Sequence, residues 1–122
     1  MRMSELATIL LKWLERISLI SPPNPEIKAF NFGIFQTQNG YSVYLIGSTK
    51  YDSEDDDWAC MEDYAPVERY LELPLTANGD WQSVETGLVE ALREIVSAVP
   101  SFLNNAEYVT AGFDDVVLVR VK

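Results

Sequence analysis

Ile27-Lys-Ala-Phe-Asn-Phe-Gly-Ile-Phe-Gln-Thr-Gln-Asn-Gly-Tyr-Ser-Val-Tyr-Leu-Ile-Gly-Ser-Thr49 decides the fold class. In its first half, residues 27–36 are rich in Phe and Ile, with Phe30, Phe32 and Ile34 at two-residue spacing on one face of a strand. In its second half, residues 41–49 set Tyr41, Val43 and Leu45 against Tyr44 and Ile46 on the other face. Asn39-Gly40 lies between them and tolerates the positive φ angles of a type I′ turn, so the stretch predicts a β-hairpin.

Outward from the hairpin, each flank reads as further elements. Upstream, Leu6, Ile9, Leu10, Trp13, Leu14 and Ile17 follow the i, i+3, i+4, i+7 spacing of a helix face, with Ser4 placed to cap it. That helix is expected to end near Leu19, because Ser21-Pro22-Pro23-Asn24-Pro25 cannot continue it. Downstream, Arg69 to Leu73 reads as a third strand closed by Pro74, and Asn78-Gly79-Asp80 as a turn into a second helix. The apolar face of that helix is Trp81, Val84, Leu88, Leu92, Ile95 and Val99, its cap is Asp80 or Ser83, and Pro100 stops it. After a polar linker around Asn104-Asn105, Tyr108 to Phe113 and Val116 to Val121 read as two strands around a turn at Asp114-Asp115. The expected fold is α+β: a two-layer sandwich of order α-β-β-β-α-β-β, with a mainly antiparallel sheet and the helices on one face. A doubly wound nucleotide-binding fold would need alternating strands and helices with a glycine-rich first turn, and the chain has neither.

The 122 residues fit one domain, 1–122, of ordinary globular composition, 48% hydrophobic and 23% charged. Nine Lys and Arg against nineteen Asp and Glu give a net charge of −10, which repels phosphate backbones and anionic lipid surfaces. Neither nucleic acid nor membrane is therefore an expected partner. Cys60 is the only cysteine, so no internal disulfide can form, which fits the cytoplasm. Glu5, Lys12, Glu15 and Arg16 interrupt the apolar residues of the first helix, which fits neither a signal peptide nor a membrane span.

The chemistry is bounded by what is missing. There is no histidine, the commonest general base near neutral pH and the commonest metal ligand. Cys60 stands among carboxylates that favour its neutral thiol, so it reads as a small buried residue and not as a nucleophile. Walker, GxGxxG and GxSxG motifs are absent, and paired carboxylates are too abundant to single out. A protein with no enzymatic activity and no cofactor is expected.

Charge is concentrated in one segment. Residues 52–63 contain Asp52, Glu54, Asp55, Asp56, Asp57, Glu62 and Asp63 and no base, leaving the rest of the chain nearly balanced. Asp52, Glu54, Asp56 and Asp63 match positions 1, 3, 5 and 12 of a calcium-binding loop. Asp57 replaces the required glycine at position 6, however, and Asp63 is too short for the bidentate Glu, so no metal site is expected. Two readings remain for the segment: hydrated carboxylates on a surface loop with Trp58, Ala59 and Met61 tucked inward, or a binding surface. In the second, Asp52, Glu54, Asp55, Asp56 and Asp57 steer a basic partner and Tyr51, Trp58 and Tyr64 anchor it, with Asp114 and Asp115 as a second, weaker site. Trp13 and Trp81 are expected in the core, and Trp58 is either a core plug or an anchor.

Three blocks carry a family resemblance: Tyr44-Leu45-Ile46-Gly47-Ser48, Asp56-Asp57-Trp58-Ala59-Cys60 and Ala111-Gly112-Phe113-Asp114-Asp115. Together they resemble small acidic bacterial immunity-type proteins associated with polymorphic toxin systems, in order over most of residues 27–121. The resemblance implies a cytoplasmic inhibitor that neutralises a toxin domain, often a basic nuclease, by tight binding. The alternative is a structural or adaptor domain that assembles through apolar surface, its acids serving only solubility.

Overall fold

A computed structural model describes residues 4–38, 40–52, 54–73, 80–113 and 118–122. The chain runs α1 (Glu5–Ile20), β1 (Ala29–Thr37), β2 (Gly40–Ser48), a 3-10 helix (Asp56–Cys60), β3 (Tyr70–Glu72), α2 (Trp81–Ala98), a second 3-10 helix (Phe102–Asn105), β4 (Tyr108–Phe113) and β5 (Val119–Arg120). The α+β class and the order of strands and helices are as the sequence predicts. Both long helices begin where side-chain oxygens can take up free amides. The Ser4 hydroxyl accepts from the Ala7 N–H at 3.2 Å, and the Asp80 carboxylate accepts from the Ser83 N–H at 2.9 Å.

The five strands form one open sheet in the order β3-β2-β1-β4-β5. Every pairing is antiparallel except β1 with β4, which is parallel and needs a long connection; the chain makes it through β2, β3 and α2. In the hairpin, Thr37 pairs with Gly40, so Gly40 belongs to β2 and not to the turn; its φ of 149° is one that side-chain-bearing residues rarely adopt. Asn39, Pro74, the Asn78-Gly79 turn and the Asp114-Asp115 turn lie outside the described residues. The polar linker at Asn104-Asn105 is helical, because Ser101 and Asn104 form a capping box and the Lys122 ammonium donates to the carbonyls of Leu103, Asn104 and Ala106.

Both helices share one core with Phe30, Phe32, Ile34, Val43, Leu45, Val109 and Ala111 from one face of the sheet. Trp13 is fully buried there, edge-on to Phe32, and its indole N–H reaches the Glu68 carbonyl at 2.9 Å. The opposite face is not left to water. Ala29, Asn31 and Ile46 are buried on it, and Asn31 accepts a hydrogen bond from Thr110 at 2.9 Å across the parallel pair. Most of what covers this face is the acidic segment, which adds a partial third layer to the expected two.

Candidate functional site

The acidic segment leaves β2, crosses the second face of the sheet as a strap and returns along the outer edge of β2. Three sets of contacts pin it. At its start the Tyr51 ring stacks on Tyr108 of β4, centroids 3.8 Å apart and planes within 8°, and also meets Trp58 at 5.1 Å. In the middle, the Asp56 carboxylate accepts from the Leu118 N–H at 3.2 Å, just ahead of β5. On the return, Asp63 accepts from the Thr49 N–H at 2.9 Å and from the Thr49 and Ser48 hydroxyls, and Tyr64 exchanges backbone hydrogen bonds with Gly47. These donors, the Thr49 amide foremost, hold the Asp63 carboxyl below the usual carboxylate range.

The sequence folds this way locally because aspartates compete for nearby amides. Asp52 accepts from the Glu54 N–H at 2.9 Å, and Asp55 accepts from the Asp57 N–H at 3.0 Å, capping the 3-10 helix. That helix turns Trp58 inward, where it is only 3% exposed, while Asp52, Glu54, Asp55, Asp56 and Asp57 stay exposed. Of the two roles open to Trp58, the structure supports the core plug; its indole N–H has no hydrogen-bond partner among the described residues.

Five of the ten expected binding residues, the carboxylates from Asp52 to Asp57, are thus brought together on one solvent-facing strap. Among the described residues the ion pairs are Arg16 with Glu68 and Arg69 with Glu62, so none of these five is neutralised by a direct pair. Lys28 and Lys50 do share a groove of about 580 Å³ with Asp52, Asp55 and Asp57, so the patch has a mixed rim. The expected anchors serve the fold. Tyr51 is half-buried in its stack, and the Tyr64 hydroxyl donates to the Ser21 carbonyl at 2.6 Å while its ring meets Phe30 edge-on. Burial pushes the Tyr64 phenol up. Asp114 and Asp115 lie outside the described residues.

Two expectations about other side chains are corrected. Cys60 is exposed, because the 3-10 helix spends its inward position on Trp58. Trp81 is 41% exposed and meets the edge of the apolar layer at Phe113, because the first turn of α2 lies beyond the packed stretch that begins at Val84.

Sequence reasoning missed Arg69. Its guanidinium is bound by Glu62 and flanked by the Tyr44 and Tyr70 rings at 5.8 and 5.7 Å. With Asn31, Phe35 and Cys60 these residues line a cavity of about 600 Å³ between strap and sheet. No group of three or more acidic or cysteine side chains among the described residues could hold a metal ion. No helix among them is long and apolar enough to cross a membrane. No protein-family model matches this chain, and neither a curated protein nor a solved structure matches it.

Proposed function

We propose that this chain is a non-catalytic binding protein of the immunity type, which captures a basic, nuclease-like toxin domain in the cytoplasm through its acidic strap. The observation that carries the reading is the strap itself. Five carboxylates stand exposed and, among the described residues, without a direct ion pair, on a segment held from beneath by Trp58, the Tyr51–Tyr108 stack and the Asp56–Leu118 hydrogen bond. A pinned acidic surface has little ordering entropy left to lose on binding, and its field accelerates encounter with a positively charged cleft. The carboxylates take the place that substrate phosphates would occupy in such a cleft.

The test is co-expression with the product of the adjacent gene. Co-purification, loss of that product's toxic activity in the complex, and an association rate that falls steeply between low and physiological salt support the reading. A complex that forms at a salt-independent rate, or no complex, removes it. The second reading, an adaptor that assembles through apolar surface, is favoured by a separate feature. Leu19 and Ile20 at the end of α1 are 86% and 66% exposed, and Val67 beside them, whose N–H donates to the Ser21 hydroxyl, is 80% exposed.

A further inference from the structure

Along α2, Trp81, Glu85, Val89 and Arg93 recur at four-residue spacing and so lie on one face of the helix. With Val119 of β5 and Glu90 they line a cavity of about 320 Å³ at the edge of the molecule. Its walls are mostly apolar: Trp81, Val89, Val119 and the stems of the longer side chains. Glu85 is 9% exposed and has no hydrogen-bond or ionic partner among the described residues. Its Oε1 occupies the space beside Gly112, 3.2 Å from where a β-carbon would stand. The other charged groups at the rim are Glu90, which is exposed, and Arg93. Arg93 is turned away from Glu85 to the Arg120 carbonyl at 2.9 Å and starts two helical turns further on.

We propose that this cavity binds an alkylguanidinium group, with Glu85 as its counter-ion and Trp81 as the wall on which the guanidinium lies. A carboxylate that is largely covered yet lacks a protein partner among the described residues carries part of the cost of desolvation, and a cation brought on an apolar stem relieves that cost while filling the slot. Guanidinium fits better than ammonium because it is weakly hydrated, pairs with a carboxylate through two parallel hydrogen bonds and stacks on an indole face. Burial pushes the Glu85 carboxyl up. The inference is independent of the acidic strap: the two sites use different residues on different elements, and either can fail without the other.

The experiment titrates the full chain with n-butylguanidinium, with its neutral counterpart n-butylurea, and with an end-capped Gly-Arg-Gly peptide, at about pH 8, well above the ordinary carboxylate range. Backbone amide resonances report the binding. The expected result is saturable shifts confined to residues 81–93 and 118–120 with n-butylguanidinium and none with n-butylurea. Glu85→Gln, which keeps the shape and removes the charge, is expected to weaken binding about tenfold or more, and Trp81→Leu by a smaller factor. Tighter binding of the peptide identifies the ligand as an arginine of a protein partner, and weaker binding identifies it as a small free cation. Equal shifts with n-butylurea, unchanged affinity in Glu85→Gln, or no saturable shift overturns the proposal. Since Glu85→Gln removes a buried charge, loss of fold does not confound it, and its thermal midpoint confirms this in the same samples.

Discussion

Trp58 shows how one side chain turns an acidic loop into a fixed surface. It is buried between the strap and the second face of the sheet, and among the described residues its indole N–H makes no hydrogen bond, so its contribution there is packing. Trp58→Ala is expected to destabilise the chain by about 3–5 kcal/mol in urea unfolding, as large-to-small core changes do. Trp58→Phe costs less, because no hydrogen bond is lost with the nitrogen. Gly33 offers a test of the same face from the sheet side. A β-carbon there would run into the Tyr44 ring, so Gly33→Ala forces that ring to move and is expected to cost about 1–3 kcal/mol by the same measurement. The sequence contains the information for Trp58 but not its decision. An indole flanked by Asp57 and Ala59 has no periodic neighbours to say which way it faces, and only the Asp55 cap on the 3-10 helix settles it.

At the level of elements, the acidic strap separates into carboxylates that build it and carboxylates that only charge it. Asp52 and Asp55 close turns, Asp56 holds Leu118 and Asp63 holds Thr49, whereas the Glu54 and Asp57 side chains accept no hydrogen bond among the described residues. Replacing Glu54 and Asp57 together with Gln and Asn is therefore expected to leave the thermal midpoint unchanged or slightly higher and to slow association with a basic partner at low salt. Asp56→Ala is expected to lower the midpoint by a few degrees, since it frees the strap from β5; scanning calorimetry separates the two variants. This division was not legible beforehand, because a run of aspartates looks alike in sequence and differs only in which amide each one meets. The hairpin and both helices were legible, since period-two and period-four patterns with Ser4 and Asp80 as caps specify them locally. The parallel pairing of β1 with β4 was not: its partners, Ala29 to Ile34 and Tyr108 to Phe113, are brought together by α2 across most of the chain.

For the molecule as a whole, two sets of carboxylates pull stability in opposite directions with pH. The Asp63, Asp80 and Glu68 carboxyls are held below their ordinary values, by the Thr49 amide, the Ser83 amide and the Arg16 guanidinium respectively. Each folded pKa lies below its unfolded one, so the stability these groups contribute is present above the unfolded values and is lost as pH falls through the folded ones. Glu85 has the opposite sign. Burial raises its folded pKa above the ordinary 4.5, so the folded state binds that proton more tightly, and stability falls as pH rises from there through the raised value. A net charge of −10 adds self-repulsion on the same alkaline side. The thermal midpoint is therefore expected to peak in mildly acidic solution, to decline as pH rises from the ordinary carboxylate value through the raised Glu85 value, and to level off above it. Glu85→Gln should remove part of that decline at any salt concentration, because its cost is desolvation, while added salt should remove a different part in both proteins by screening the surface acids. A midpoint that rises steadily to pH 8 in the wild type, or a Glu85→Gln profile that superimposes on it, would show that Glu85 finds a partner in solution and that its cavity has no unbalanced charge to offer a ligand.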